Sequence, residues 1–328
     1  MKRAEPAAGS AARREAPADL SVVLVTDRYA TIRDMVERLR AQTVRDRLEL
    51  VLVASEPVTI AEAESDLEGF AAVQVVAVAP GTTLAAARAA GIRAATAPRV
   101  FIGETHCYPR PGMAEALIRA HEEGWDVVVP SFGNANPEGL TSWTGFIADY
   151  GPWVDGGLAG PIDYAPFYNV SYGRDVLLEL GDGLAAALGH GDEMLVFLRS
   201  RGRRMYFEPG ARIEHLNLAR PALGLRERLL AGVLIGGTRS RRWGWPRRLL
   251  YAAASPLIAG VLAARAVRSW KSIRGRVELP LGTLPGLIVL AGVQAVGEAA
   301  GYARGAGAGA ARTMEDYEIH KARYVESP

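Results

Sequence analysis

Residues 98–112, PRVFIGETHCYPRPG, join a short apolar run to a polar turn, a Pro-Gly segment and the start of a helix. The apolar run at residues 100–102 is followed directly by Gly103, Glu104, Thr105 and His106. In open α/β sheets, ligands bind in the crevice at the carboxyl ends of the strands. We therefore expect Glu104 and His106 to present two metal-ligating side chains at the edge of a cleft. The alternative is a pair of polar loop residues without a ligand, because short motifs also match by chance.

Strands and helices alternate on both sides of this stretch. Apolar runs predict strands at residues 20–25, 48–53, 73–78, 100–102 and 126–130, and apolar periodicity predicts helices at residues 31–42, 84–95 and 112–123. Strands that alternate with helices at this spacing predict βαβ units, and hence an α/β fold with a mostly parallel sheet flanked by helices. The turn after the first strand, TDRYAT, has no G-x-G-x-x-G pattern, which disfavours a dinucleotide-binding Rossmann fold.

The next part of the chain has less regular patterning. Residues 132–164 are rich in Gly, Pro, Asn and Trp and predict a long ordered loop, of a kind that usually has a binding role. Beyond it we expect strands at residues 167–172, 205–207 and 211–214, and helices at residues 174–180 and 192–201.

The composition is that of a folded protein, because 49% of the 328 residues are hydrophobic and 23% are charged. The chain has one cysteine, Cys107, which excludes an intrachain disulfide and fits a reducing compartment. Beside His106 it is either a third soft ligand, a nucleophile or simply a small buried side chain. Residues 1–19 predict a disordered segment that lacks the apolar core of a secretory signal.

The net charge of +2 conceals a strong asymmetry along the chain. Residues 220–276 contain thirteen Arg and Lys and a single acid, Glu227, which is a net charge of +12. The other residues must therefore sum to −10. Such an asymmetry indicates a polyanionic surface as a partner.

Two apolar blocks lie in or beside this basic region, at residues 249–264 and 281–297. The first would span only ~24 Å as a helix, which is short of a ~30 Å hydrocarbon core, and it has arginines at both ends. We therefore predict an interfacial or re-entrant membrane segment, with two buried helices of a soluble domain as the alternative. A nucleic-acid partner is disfavoured, because no known nucleic-acid motif accompanies the charge.

Four stretches in order carry a family resemblance: residues 21–44 with 48–53, residues 85–112, residues 167–180 (FYNVSYGRDVLLEL), and residues 190–217 (HGDEMLVFLRSRGRRMYFEPGARIEHLN). Together they resemble family 2 glycosyltransferases with the GT-A fold. The resemblance implies an inverting transfer of a sugar from a nucleotide diphosphate sugar to an acceptor hydroxyl. It also implies a catalytic domain over residues 20–219, followed by a basic and apolar membrane-associating helical region at 220–300 and a flexible tail at 301–328.

The resemblance implies a divalent metal on the diphosphate, held by Glu104 and His106 where the family usually has Asp-x-Asp. His215 completes this site, contacts the diphosphate or is structural. An imidazole ligand favours Mn²⁺ over Mg²⁺. The base role corresponds to Asp192, with Glu193 next and His190 as a competitor; the alternative is that both acids only complement the helix dipole.

Donor binding is implied for Thr26, Asp27 and Arg28 at the end of the first strand. Ser55 follows the second strand, where Ala54 replaces the family's usual Asp, and it joins the donor set together with Glu104. Arg93 and Arg88 contact phosphates if they are not simply solvated on a helix face.

Two other functions compete with this interpretation. The altered metal motif and Ala54 favour a catalytically inactive, membrane-bound scaffold of the same family. A nucleotidyltransferase would need a Gly-rich basic loop after the first strand, which TDRYAT does not provide. For the enzyme, the expected partners are a nucleotide diphosphate sugar, a glycan or lipid-linked acceptor such as a cell-envelope glycan, and an anionic membrane, with the protein on the cytoplasmic side of the cell membrane.

Overall fold

A computed structural model describes residues 17–56, 64–189 and 191–326 of the chain. Most of the predicted disordered segment, residues 1–16, lies outside the described residues, as does His190. Residues 17–19 are described, and here Asp19 pairs with Arg47 at 2.5 Å, so the end of that segment is packed.

Within the described residues, nine strands form one sheet. They are β1 (Leu20–Thr26), β2 (Leu48–Ala54), β3 (Ala72–Ala77), β4 (Arg99–Ile102), β5 (Cys107–Pro109), β6 (Val127–Asn134), β7 (Gly160–Ile162), β8 (Val170–Gly173) and β9 (Met205–His215). The sheet order is β3-β2-β1-β4-β8-β6-β9-β5, and β7 also pairs with β9. The predicted α/β architecture is confirmed, with a parallel half (β3-β2-β1-β4) that continues into a mixed half at β8.

Helices cover the sheet and then form the C-terminal region. They are α1 (Tyr29–Arg40), α2 (Leu84–Ala94), α3 (Met113–Glu122), α4 (Leu140–Tyr150), α5 (Arg174–Leu178), α6 (Leu184–Gly189), α7 (Gly191–Ser200), α8 (Pro221–Arg239), α9 (Trp245–Ala253), α10 (Ser255–Ile273), α11 (Thr283–Arg304) and α12 (Ala308–Glu326). The apolar stripe of α1 (Ile32, Met35, Val36 and Leu39) is buried, as its 3.6-residue periodicity predicts.

The parallel half brings the polar strand ends to one edge of the sheet. The strands β2, β1 and β4 are neighbours and run in the same direction, so the chain leaves all three at their carboxyl ends on the same edge. The antiparallel strand β8 then pairs Val170 with Ile102. This register places Asn169, the residue before β8, beside the turn that begins at Gly103.

Two predictions about the middle of the chain are wrong in detail. Residues 132–164 are not one long loop, because they include α4, whose buried Trp143, Phe146, Ile147 and Tyr150 follow helical spacing. Flanking Gly and Pro residues obscure this short period in the sequence. The two short strands predicted at residues 205–207 and 211–214 form a single strand, β9, whose register against β6 shifts between Pro130 and Ser131.

The C-terminal region also differs from expectation. The apolar block at residues 249–264 is divided between α9 and α10, which are bent by 53° at a break just before Pro256. The predicted flexible tail is instead helix α12, because Tyr317 (1% exposed) and Lys321 (5% exposed) bury against the rest of the protein. The division of the chain into domains stays a prediction.

One described helix, α11, is long and apolar enough to cross a membrane, and 39% of its most apolar 18 residues are buried inside the protein. The bent pair α9–α10 meets the same criterion when it is counted as one span. Buried helices of soluble proteins also meet this criterion, so length and composition alone do not place α11 in a membrane.

Glycines allow α8 and α11 to pack backbone against backbone. A Cβ at Gly297 on α11 would overlap the carbonyl oxygen of Leu229 on α8, and one at Gly232 would overlap the carbonyl oxygen of Gln294. A Cβ at Gly236 or at Gly301 would likewise overlap a backbone carbonyl oxygen of the facing helix. Small residues that allow such close approach are typical of tightly packed helix pairs.

We expect Gly297→Ala to destabilise the protein by about 1–3 kcal/mol, because the added methyl group forces the two backbones apart. Gly292→Ala is the matched control, since a Cβ there meets nothing within 4 Å. The control should be neutral or stabilise by about 0.5–1 kcal/mol, as alanine favours a helix over glycine. Thermal unfolding of both variants checks this, and equal midpoints would contradict the packing.

Candidate active site

Four side chains with metal-ligating atoms converge at the carboxyl end of β4. Glu104, His106, Cys107 and His215 are all buried, and one ligand atom from each lies within 4.8 Å of the others. The turn between β4 and β5 carries the first three residues. The fourth comes from the end of β9, because β5 pairs antiparallel with β9 and sets Cys107 opposite His215. The structure thus brings together the three residues that the sequence predicts as metal ligands.

The two imidazole rings face each other through Nε2 atoms 3.1 Å apart. His106 donates its Nδ1 hydrogen to the carbonyl oxygen of Glu318 at 3.0 Å. His215 donates its Nδ1 hydrogen to Oδ1 of Asn217 at 2.7 Å, and the Nδ2 of Asn217 is itself a donor to Asn134. In neutral rings with these tautomers, both Nε2 atoms carry lone pairs, which point into the same small space.

A carboxylate oxygen completes this group of electron-pair donors. Oε2 of Glu104 lies 3.6 Å from Nε2 of His106 and 3.7 Å from Nε2 of His215. Three such atoms repel one another unless a proton or a cation lies between them. Ligands about 2.1 Å from one tetrahedral ion lie about 3.4 Å apart, so the observed spacing fits a metal ion. A histidine whose other nitrogen donates to a carbonyl is also the usual arrangement of a metal ligand.

The charges within the cluster suit a cation. Burial lowers the pKa of His106 well below its usual range, so this ring is neutral and its Nε2 is available. Burial alone would raise the pKa of Glu104, but hydrogen bonding and electrostatic interaction with its neighbours, His106, His215 and Glu318, lower it well below the usual value. Burial raises the pKa of the Cys107 thiol, which leaves it protonated and a weak ligand in this state.

Asn169 holds Glu104 in place and was missed as a site residue in the sequence. Its Nδ2 donates to Oε2 of Glu104 at 2.6 Å, and its Oδ1 accepts from the Glu104 backbone N–H at 3.1 Å. Asn169 has a φ of +54°, a conformation that asparagine tolerates better than most residues. Tyr150 accepts a hydrogen bond from the same Nδ2 at 3.0 Å. The sequence signal was the FYNVSYG stretch, which marked the segment without identifying the residue.

Arg88 from α2 adds a buried positive charge next to Glu104. Its Nη2 lies 3.8 Å from Oε1 of Glu104, and its guanidinium stacks on the ring of Tyr168 at 3.5 Å. Among the described residues, the buried Nε and Nη1 donors of Arg88 find no hydrogen-bond partner. Unpaired buried donors are costly, so Arg88 has capacity to bind an anion.

The residues predicted to bind the donor lie in different places. Thr26 is buried at the end of β1, and Asp27 accepts from the Thr31 hydroxyl at 2.6 Å. Arg28 pairs with Asp27 at 3.2 Å. Ser55 is exposed in the bend after β2. Arg93 lies apart from the cluster, at the exposed end of α2, where it donates to the carbonyl of Gly181 at 3.0 Å.

The two acids predicted as catalytic bases are at the start of α7 and outside the buried cluster. Asp192 is 65% exposed and pairs with Nε of Arg239 at 2.7 Å. Glu193 is also exposed. Asp192 therefore has a basic partner from α8, and a catalytic role for either acid stays a prediction.

Residues 21–173 match the family model described as glycosyl transferase family 2. The match confirms the resemblance predicted from the sequence, and with it the enzyme class of the matched domain. Among solved structures, the chain is similar to the "Crystal structure of GalNAc-T7 with UDP, GalNAc and Mn2+", with 16% identity and a TM-score of 0.46. The similarity covers 62% of this chain and 44% of that chain, and it carries no argument about function. No curated protein matches the chain significantly.

We expect the purified protein to bind one divalent ion at this cluster. His106→Ala and His215→Ala should each lower the affinity for Mn²⁺ more than a hundredfold, and Asn169→Ala about 10–100-fold, because Asn169 orients the carboxylate. His121→Gln is the control, since that half-buried histidine bonds to Trp125 and Ser171 instead. Equilibrium dialysis with metal analysis measures the effect, and equal metal content in the wild type and His106→Ala would contradict it.

Proposed function

With residues 21–173 matched to glycosyl transferase family 2, we propose that the protein is an inverting glycosyltransferase that uses a nucleotide diphosphate sugar. The observation that carries the proposal is the convergence of Glu104, His106 and His215 at the carboxyl end of β4. The buried guanidinium of Arg88 lies beside them. A cation site next to a buried guanidinium suits a diphosphate group, which carries several negative charges.

The metal ligands in this proposal are Glu104, His106 and His215. A divalent ion held by these residues would supply positive charge to neutralise the leaving diphosphate. Two imidazoles and one carboxylate are a softer ligand set than the oxygen ligands that Mg²⁺ prefers, so Mn²⁺ or a softer ion suits the site better. Asn169 and Tyr150 keep the carboxylate of Glu104 oriented.

The remaining donor contacts follow the edge of the sheet. Arg88 supplies hydrogen-bond donors for the phosphates. We assign Thr26, Asp27 and Arg28 at the end of β1, together with Ser55 after β2, to the nucleoside. Arg93 is a weaker candidate for a phosphate contact, because its guanidinium bonds to Gly181 at the surface.

The acceptor side needs a base and a single displacement. The acceptor oxygen attacks the anomeric carbon from the face opposite the leaving diphosphate, so one step inverts the configuration. Asp192 takes the proton from the acceptor hydroxyl as the new bond forms. Arg239 holds Asp192 in position through the 2.7 Å ion pair, with Glu193 as the neighbouring acid.

A catalytically inactive scaffold is the second candidate. The observation that favours it is the burial of the cluster, since Glu104 is 5% and His106 1% exposed. Such a protein would show no metal-dependent binding of a nucleotide and no binding of a donor sugar. Activity assays separate the two functions.

The acceptor side of the proposal includes a membrane. Trp245, Leu250 and Leu257 on α9 and α10 expose more than 65% of their surfaces, and exposed arginines such as Arg265 and Arg268 follow them. An apolar surface with flanking basic residues suits an interface with anionic lipid. We propose that these helices attach the enzyme to the cytoplasmic side of the cell membrane, where a lipid-linked or cell-envelope glycan is the acceptor. Nucleic acid is not a partner in this proposal.

We expect Asp192→Asn to lower kcat about 10²–10⁴-fold while the affinity for the nucleotide diphosphate changes little, because the amide accepts no proton. Glu193→Gln is the matched control and should keep most of the activity. A panel of UDP-, GDP- and dTDP-sugars with Mn²⁺ and lipid-linked acceptors measures turnover. Full activity of Asp192→Asn would exclude this base, and no binding of any nucleotide would support the scaffold.

We expect Arg265→Glu/Arg268→Glu to weaken binding to phosphatidylserine-containing vesicles by at least about 2 kcal/mol, or roughly thirtyfold, because each basic residue near an anionic surface contributes ~1 kcal/mol. Arg33→Glu/Arg38→Glu on the exposed face of α1 changes the net charge equally and is the control. Vesicle flotation measures both. Equal losses in the two variants would mean that net charge, rather than this surface, determines the binding.

A further inference from the structure

Helix α12 lies directly against the turn that carries the candidate metal ligands. The carbonyl oxygen of Glu318 accepts hydrogen bonds from Nδ1 of His106 at 3.0 Å and from the Thr105 hydroxyl at 3.1 Å. The carbonyl oxygen of Ile319 accepts from the same hydroxyl at 2.8 Å. The C-terminal helix is therefore bound to the polar end of β4 through its own backbone.

A kink in α12 makes these bonds available. His320 has a φ of −114° and a ψ of 24°, which is not helical, and the two bonded carbonyls belong to the residues just before it. Carbonyl groups inside a regular helix bond to N–H groups four residues later, and a kink releases some of them. The position of the break thus matches the position of the contacts with Thr105 and His106.

The same helix contacts two other elements at this edge of the sheet. Oε1 of Glu315 accepts from the backbone N–H of Leu84, the first residue of α2, at 3.0 Å. Nε2 of His320 lies 3.2 Å from Oδ2 of Asp27, which follows β1. The contacts of α12 therefore fall on the end of β1, the start of α2 and the end of β4, which are the elements that carry Asp27, Arg88 and Glu104.

The acidic groups of α12 occupy positions that suit an anionic ligand. The Glu318 carboxyl hydrogen-bonds to Glu104, and burial together with the neighbouring Glu104 charge raises the pKa of Glu318 well above its usual range. Lys321, also buried, lies 3.9 Å from Glu318 and 3.4 Å from Glu227 on α8. With these side chains in place, Glu104 and Arg88 have almost no surface left for a nucleotide to contact.

The linker before α12 has the features of a hinge. Gly305 and Gly307 both have positive φ, 86° and 67°, in the short segment between α11 and α12. Glycine adopts such angles at little cost and changes them readily. The helix can therefore rotate away while α11 stays packed on α8.

We propose that α12 is an autoinhibitory helix, which competes with the nucleoside diphosphate for the groups around Glu104 and swings about the Gly305–Gly307 linker to admit it. The identity of the ligand rests on the function proposed above, whereas the closure itself does not. Because only the open form binds nucleotide, its apparent affinity falls by the fraction of molecules that are open. The coupling is reciprocal, so bound nucleotide must favour release of α12.

Hydrogen exchange on the full native chain tests the competition. We expect UDP, GDP or dTDP, whichever binds, to increase the exchange of the amides in residues 308–326 at least tenfold in the presence of Mn²⁺. The amides of β1 and β2 in the sheet core serve as the internal control and should not change. Slower exchange in α12 on nucleotide binding would overturn the proposal, because it would mean that the helix helps to build the donor site.

Cys107 provides a second test that needs no nucleotide. It is the sole cysteine of the chain, and it is buried next to Glu104, with Sγ and Oε2 3.6 Å apart. We expect Glu315→Ala/His320→Ala to react with a neutral maleimide at least tenfold faster than the wild type, with a chelator present to remove metal. Arg312→Ala, on an exposed position of the same helix, is the control and should react like the wild type.

The combined outcomes separate the closure by α12 from the proposed glycosyltransferase function. If the double variant does not fold, the labelling is repeated on a second form of the protein. This form is a full-length chain with a protease site in the 305–307 linker, which is cut after the chain has folded. If the double variant and the cut chain both label like the wild type and bind nucleotide as tightly, the closure of the site by α12 is rejected. The proposed glycosyltransferase function would not be affected by that result. Faster labelling with no nucleotide bound by any form would reject the competition and the proposed function together.

Discussion

Two buried imidazole rings that face each other through Nε2 atoms 3.1 Å apart, next to a carboxylate, are the arrangement on which the rest of this site depends. The Nδ1 atoms of both rings are committed to acceptors, so neither ring can turn to relieve the repulsion without losing a hydrogen bond. The fold therefore holds three electron-pair donors where only a cation or a proton makes them compatible. Strand pairing causes this arrangement. The antiparallel pairing of β5 with β9 sets Cys107 opposite His215, and His106 directly precedes Cys107.

The buried charges around this cluster form one network. Asn169 and Tyr150 bond to the carboxylate of Glu104, and Arg88 stacks on Tyr168 while its guanidinium faces Glu104. Lys321 balances the acidic groups that α12 and α8 contribute. Buried ion pairs are costly unless every partner is present. The network therefore ties the position of α12 to the charge state and ligands of the site, which is the physical basis for coupling the helix to nucleotide binding.

The basic C-terminal region is connected to the site. Glu227 on α8 pairs with Lys321, and the neighbouring Arg228 pairs with Asp149 on α4 at 2.8 Å. The glycine contacts between α8 and α11 hold that platform together. A membrane surface that engages α9 and α10 would thus act on helices that are covalently continuous with α8 and α11, and through them on α12.

The sequence by itself determined the order of the strands and helices over residues 20–130, except for the short strand β5, and the polar residues at the ends of β1 and β4. It did so because apolar runs and helical periodicity are local properties of the chain. The convergence of Glu104, His106 and His215 also follows the expectation from the family resemblance, and their role as metal ligands stays a prediction.

Only the tertiary structure decided the roles of Asn169, Lys321 and helix α12. Asn169 reaches Glu104 because β8 runs antiparallel to β4, and no local pattern encodes that register. The tail reads as polar and weakly patterned, so its helix is stabilised by contacts with residues more than 200 positions earlier, such as Thr105 and His106. Long-range packing of this kind supplies the free energy that a local sequence lacks, and for that reason the covering of the site could not be deduced from the chain alone.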